Sequence, residues 1–137
     1  MGARGAVILL DTSVLIEPLD RWPGAVLGSS VLCLAELQFG VHFARSPALR
    51  ASRVRNLARY RSVLEWIPFE EPDSESYAVL AARVAKTRPA HARSTDILIA
   101  AQALTLGVPL LTRNVKDFEL VGDLVEILDG NSPVSAR

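Results

Sequence analysis

The sequence predicts a single α/β domain: a central parallel sheet of four to five strands with helices on both faces. Three observations carry this. Short aliphatic runs alternate with longer helical patterns along the whole chain. The first run, AVILL, is apolar at successive positions, as expected of a strand buried on both faces of a parallel sheet. The 137 residues are enough for one core without staples, and no repeat or composition shift marks a second domain.

The elements follow in order. Ala6–Leu10 is the first strand, closed by Asp11. Thr12, Ser13 and VLIEPL form a short helical turn stopped near Pro18, and residues 20–24 form a loop. Ala25–Ser29 is a second short strand, and Ser30 is placed to cap a helix VLCLAELQFGVHFA with Glu36 inside it. A long amphipathic helix spans about Leu49–Trp66, with Val54, Leu57 and Leu64 as its apolar stripe. Ile67–Phe69 is a third strand. Asp73 or Ser74 caps the next helix, whose buried face carries Tyr77, Leu80, Ala81 and Val84. Pro89 marks residues 88–93 as a loop.

Ser94 or Thr95 then caps a helix that is apolar all round, hence buried, and that ends at Gly107. Val108–Leu111 is a fourth strand and Leu124–Leu128 a fifth. The domain occupies residues 1–130, and residues 131–137 form a flexible tail.

Composition narrows the function classes. Lys+Arg and Asp+Glu balance at 15 each, so net charge names no partner. One cysteine, Cys33, excludes an intrachain disulfide and reads as a small buried hydrophobe, consistent with a reduced, cytoplasmic setting. No stretch is long enough to span a membrane, and the N-terminal run is too short for a signal-peptide core. The opening MGARGA has alanine where the myristoylation pattern needs Ser or Thr.

Four carboxylates stand out. Asp11 ends the first strand, and Thr112, Asn114 and Asp117 follow the fourth. In a parallel sheet these meet at one edge, outside the C-terminal strand ends. Asp96 begins the helix that feeds the fourth strand. Each has a structural alternative: Asp11 and Asp117 as turn caps, Asp96 as a first-turn acid facing the helix dipole, Glu36 as half of an arginine salt bridge. Glu36 is hardest to explain this way, because an unpaired carboxylate in an apolar helix is costly to bury. Two unit charges 4 Å apart repel by about 4 kcal/mol at an effective dielectric near 20. A cluster of four should raise its own pKa values or recruit a cation. His42 and His91 lack zinc-site spacing and read as surface residues, so hard oxygen ligands point to one or two Mg²⁺ or Mn²⁺ ions. Such ions suit phosphodiester hydrolysis.

Charge placement fits a polyanionic substrate. Residues 37–64 contain no acid but six arginines: Arg45, Arg50, Arg53, Arg55, Arg59 and Arg61. Residues 76–95, also acid-free, carry Arg83, Lys86, Arg88 and Arg93. The acids are kept for the site while the flanks are basic, a layout for phosphate-backbone binding or, alternatively, a solvated or protein-binding face.

The segments LLDTSVLIEPL, SSVLCLAELQFG, TDILIAAQAL and TRNVKDFE, in this order, resemble PIN-domain nucleases, and among them VapC-type toxins of toxin–antitoxin modules. The resemblance implies a PIN-like fold and a Mg²⁺- or Mn²⁺-dependent endoribonuclease. It maps the acidic quartet onto Asp11, Glu36, Asp96 and Asp117, with Thr112 and Asn114 orienting ligands or water. It implies a VapB-type antitoxin whose C-terminal segment covers the active site, a homodimer, and DNA contact only through the antitoxin. Arg45, Arg93 and Arg113 are the candidates for contacting RNA. Two other readings compete: a non-catalytic RNA- or protein-binding module, motivated by the arginine-rich helix, and a phosphoacceptor domain using Asp11. The latter lacks a second acid two residues after Asp11 and leaves Glu36 unexplained.

Overall fold

The computed structural model describes residues 7–132. Ala6, the opening MGARGA and residues 133–137 of the expected tail lie outside the described residues. The sheet has five parallel strands: β1 (Val7–Leu10), β2 (Val26–Ser30), β3 (Glu65–Ile67), β4 (Leu110–Thr112) and β5 (Ile127–Asp129), in the order β3-β2-β1-β4-β5. β1 is central, with Leu10 opposite Ser29 on one side and Leu111 on the other. Leu9 and Leu10 are both fully buried. Successive strand residues point to opposite faces, so both faces of the sheet are covered.

The described residues also form six α-helices: α1 (Thr12–Ile16), α2 (Val31–His42), α3 (Pro47–Val63), α4 (Glu71–Ala85), α5 (Pro89–Ala92) and α6 (Thr95–Leu106). A 3-10 helix spans Val115–Val121. α2 packs on α3, and α4 packs on α5 and α6. Ser30 caps α2 as expected, its Oγ accepting from the Leu32 amide at 2.9 Å. α6 buries Ile97, Ile99, Ala100, Ala101, Gln102 and Ala103. It closes at Gly107, whose φ of 66° and ψ of 36° are left-handed. There Gly107 N–H bonds Leu104 C=O and Val108 N–H bonds Ala103 C=O, the paired pattern that satisfies the last carbonyls of a helix.

Several boundaries differ from the sequence expectation, for identifiable reasons. The long helix covers Pro47–Val63 rather than Leu49–Trp66, and the third strand is Glu65–Ile67 rather than Ile67–Phe69. Pro68 pushes Ile67 into the extended region and cannot donate to the ladder, so the strand must lie before it. α4 starts at Glu71, with Glu70 as its cap. Asp73 reaches back to accept the Glu70 amide at 2.8 Å, closing a reciprocal box. Residues 89–92 are a helical turn, not a loop: Pro89 opens the turn, the position where its fixed φ helps and its missing N–H does no harm. The fourth and fifth strands lie at Leu110–Thr112 and Ile127–Asp129, later than expected, and Pro109 contributes only its C=O, to the Leu9 amide. Val54 is exposed, and the one buried α3 side chain is Tyr60. Leu80 and Val84 are buried on α4, as expected, and Cys33 is buried with its thiol pushed up to about 11, chiefly by desolvation.

Gly107→Ala should destabilise the fold by about 1 kcal/mol, because any Cβ is penalised in the left-handed region. Urea unfolding checks this, and an unchanged midpoint would contradict the helix-end geometry.

Candidate functional site

Asp11 follows the central strand and is 3 % exposed. It occupies the position that starts α1, yet its side chain makes no capping bond there. Instead Oδ2 accepts from Ser13 Oγ and from Thr112 Oγ1, each at 2.8 Å. Each hydroxyl has one proton, and both protons go to Asp11. The 3.3 Å approach of Ser13 Oγ to Thr112 Oγ1 is therefore proximity, not a further hydrogen bond. The hydroxyl lone pairs accept in turn: Ser13 from the Arg113 amide and Thr112 from the Asn114 amide, both at 3.0 Å. This set fastens α1 to the loop after β4.

Glu36, on α2, accepts from Thr12 Oγ1 at 2.7 Å. Asp11, Glu36 and Asp96 line one cleft of about 360 Å³ together with Ser13 and Asn114. Glu36 thus faces the cleft rather than a structural arginine. Asp117 sits beyond Asp96, in the 3-10 helix, where Arg88 approaches its Oδ1 at 3.8 Å. The four acids are close enough to act on one another. The Asp96 carboxyl is pushed up to about 6, first by desolvation, then by the negative charges of Asp11 and Asp117, and by Glu36, against a lowering by His91.

The arrangement includes three side chains that the sequence reading left out. Thr12 and Ser13 orient Glu36 and Asp11, and their signal was the pair of hydroxyl residues directly after the strand-ending acid. His91 was read as a surface residue without zinc-site spacing. It is half-buried, and one of its ring nitrogens lies within 4.8 Å of carboxylate oxygens of both Asp96 and Asp117. Four residues separate it from Asp96, a spacing that carries no meaning until the α5 turn folds it back.

The basic candidates divide. Arg45 and Arg93 are exposed, Arg93 three residues before Asp96. Arg113 borders the cleft, but all three of its guanidinium nitrogens are engaged. Nε donates to Glu17 C=O at 2.8 Å, and the terminal nitrogens donate to Pro18 C=O and Asn131 Oδ1, both at 3.0 Å. Asn131 returns a bond to Arg113 C=O, so the first residues assigned to the tail are tied to the site loop. Arg83 pairs with Asp123, and Arg53 donates to Gly40 C=O at 2.6 Å.

The donor set fits a divalent cation. Among the described residues no Lys or Arg pairs with Asp11, Glu36 or Asp96, so the cleft holds more negative charge than the chain neutralises. The Asp96 carboxyl is raised first by desolvation and then by the neighbouring negative charges, in keeping with that excess.

Comparisons with known proteins bear on the family and the fold. A family model, the PIN domain, matches residues 8–124. Ribonuclease VapC4 of Mycobacterium tuberculosis is 36% identical over 131 residues, 88% of this chain and 94% of the relative. Among solved structures, VapBC-5 of Mycobacterium tuberculosis, a member of the VapBC family of toxin–antitoxin systems, matches with a TM-score of 0.77 and 32% identity. The match covers 90% of this chain and 98% of that one. VapBC2 of Rickettsia felis, solved bound to a DNA fragment from its promoter, shares the fold at a TM-score of 0.69 and 23% identity, over 90% and 99% of the two chains.

Without metal, Asp96 should oppose folding at neutral pH. Its folded value, about 6, lies above the ordinary 3.8, so the folded state holds the proton more tightly. The part of the stability that comes from this group is then fully present below about pH 4 and is lost as pH rises through 6. Asp96→Asn should remove that loss and raise stability in chelator at pH 7 by about 1 kcal/mol, a figure already reduced for solvent screening. Thermal melts from pH 4 to 8 check the sign; a variant less stable than wild type at pH 7 contradicts it.

Proposed function

The chain belongs to the PIN-domain family, in its VapC branch, and on that premise we propose that it is an endoribonuclease toxin held in check by a cognate antitoxin. The proposal includes dependence on Mg²⁺ or Mn²⁺ held by Asp11, Glu36, Asp96 and Asp117. The observation that carries it is the convergence of Asp11, Glu36 and Asp96 on one cleft, with Asp117 adjacent and the Asp96 carboxyl raised by its neighbours.

When bound, a divalent cation supplies an acidified water nucleophile and offsets charge on the scissile phosphate. The chain's own residues prepare the site. Ser13 and Thr112 aim the Asp11 carboxylate, and Thr12 aims Glu36. Asn114, its amide anchored on Thr112, stands at the cleft with its side chain available to orient phosphate or water. Exposed Arg45 and Arg93 supply backbone contacts to RNA, while Arg113 acts by shaping the loop. The products on this reading carry 5′-phosphate and 3′-hydroxyl ends. A phosphoacceptor role fits poorly, since Asp11 is buried and already accepts two hydroxyl protons on one oxygen.

The partner reading rests on a second feature. A groove of about 810 Å³ runs between α1, α2 and α3, with Leu15, Leu32, Leu37 and Leu57 among its lining. Phe39 and Phe43 stack at its rim, ring centroids 5.3 Å apart, and are 65% and 61% exposed. Thr12 and Glu36 line both the groove and the acidic cleft. An amphipathic antitoxin segment lying in the groove thus runs into the cleft, where a basic side chain would meet the acids. A homodimer, with DNA contacted only through the antitoxin, completes the reading.

Asp11→Asn should lower RNA cleavage by about 100-fold or more, the scale set by losing one preorganised electrostatic group. Its circular dichroism should stay native. Cleavage at the wild-type rate in Mg²⁺ or Mn²⁺ would reject the quartet. Phe39→Asp should leave cleavage intact but weaken neutralisation by the co-encoded antitoxin by more than about tenfold, as expected for an aromatic anchor. Titrating antitoxin into the cleavage assay measures it, and unchanged inhibition would place the antitoxin elsewhere.

A further inference from the structure

On the reading that the acidic cluster holds a divalent cation, we infer that His91 supplies a nitrogen ligand to an ion shared with Asp96 and Asp117. This ligand biases the site toward first-row transition ions, beginning with Mn²⁺, over Mg²⁺. A ring nitrogen of His91 and one oxygen from each carboxylate lie within 4.8 Å of one another. Ligands around an ion at about 2.1 Å stand roughly 3–4.3 Å apart, so closing onto one ion needs only small side-chain adjustments.

Hydrogen bonding fixes the state of the ring. His91 Nε2 lies 2.6 Å from the backbone oxygen of Asp117. A carbonyl has no proton to give, so Nε2 is the donor, and in the neutral ring Nδ1 keeps its lone pair. Metal-binding histidines are held in this way, the second nitrogen donating to a carbonyl or carboxylate while the first ligates. Among the described residues Nδ1 has one hydrogen-bond partner, Ser94 Oγ, at a long 3.4 Å. The same bond couples His91 to the backbone of Asp117, one of the acids it would join at the ion.

The ring sits on a fixed support. The short α5 turn buries Ala92, whose C=O accepts the Tyr77 hydroxyl at 3.1 Å, and Ser94 leads straight into α6 and Asp96. Arg88 approaches Asp117 at 3.8 Å and is partly exposed, so an incoming ion would compete with a contact that solvent already screens. An imidazole changes selectivity because Mg²⁺ favours oxygen and water ligands in a strict octahedron, whereas first-row ions accept nitrogen.

The test uses the full chain with Mn²⁺ as probe. Mn²⁺ is titrated by electron paramagnetic resonance, then displaced with Mg²⁺, for wild type, His91→Gln and His91→Ala. Spin-echo spectra are read for coupling to a bound imidazole nitrogen. His91→Gln retains a side-chain N–H for the Asp117 carbonyl but removes the imidazole. The expected result is nitrogen coupling in wild type and none in either variant. Mn²⁺ affinity should fall about tenfold or more, with Mg²⁺ affinity changed less than about threefold. Exposed His42, at the end of α2, is the only other imidazole in the chain. Nitrogen coupling that persists in the variants, or equal loss of both ions, overturns the ligand role. Mn²⁺ binding in wild type without nitrogen coupling overturns it too and leaves the acidic site standing. A wild-type protein that binds neither ion defeats the metal reading itself.

Discussion

Asp11 places a carboxylate at the end of the central strand with almost no access to water. Burying such a group without partners is costly, and the chain answers with two hydroxyls on the same oxygen, one from each neighbouring segment. Ser13 comes from the turn after β1 and Thr112 from the end of β4, so satisfying one acid locks two adjacent strand ends together. The amides of Arg113 and Asn114 then close on those hydroxyls, and Arg113 extends the tie to residues 17, 18 and 131. Much of the sheet's C-terminal edge is built outward from this bond set. Gly130 belongs to it as well: a Cβ there would come within 3.1 Å of Val14 and 3.2 Å of the Thr112 carbonyl, so a side chain would need these neighbours to give way slightly.

The cluster holds its charge at a cost to the fold. The Asp96 carboxyl is raised first by desolvation and then by repulsion from Asp11 and Asp117, and no described lysine or arginine pairs with it. Sites that perform chemistry are commonly paid for by the scaffold in this way. Here the scaffold is α6, buried nearly all round, whose rigidity keeps Asp96 from relaxing away from its neighbours. A bound cation would convert the repulsion into attraction, so the same geometry that strains the empty cluster favours loading it.

The groove beside the cleft links activity to control on the proposed reading. It shares Thr12 and Glu36 with the acidic site, and the one hydrogen bond between them spans the border. An occupant of the groove therefore acts on a residue of the site without any change of fold. Phe39, on α2, and Phe43, just after its end, remain exposed, while Glu36 lies one turn before Phe39 on the same helix.

The sequence alone determined the parallel α/β layout, the meeting of the first and fourth strand ends at one edge, the caps at Ser30 and Gly107, and the four acids as candidates. Each of these rests on local signals: aliphatic runs, helix-end residues, and carboxylates where apolar neighbours make them conspicuous. Boundaries near Pro68, Pro72 and Pro89 were misplaced because proline both stops and starts elements, and local sequence does not say which. Val54 looked like core because its helical phase is right, but the face it lies on meets no other element. Only the tertiary structure decided how the acids divide, three in the cleft and Asp117 beyond Asp96. It alone brought His91 to them and turned Arg113 from a candidate RNA contact into a clasp. Those outcomes depend on chain crossings that bring residues from distant segments within a few ångströms, as Thr112 meets Asp11. No spacing along the chain encodes such a distance.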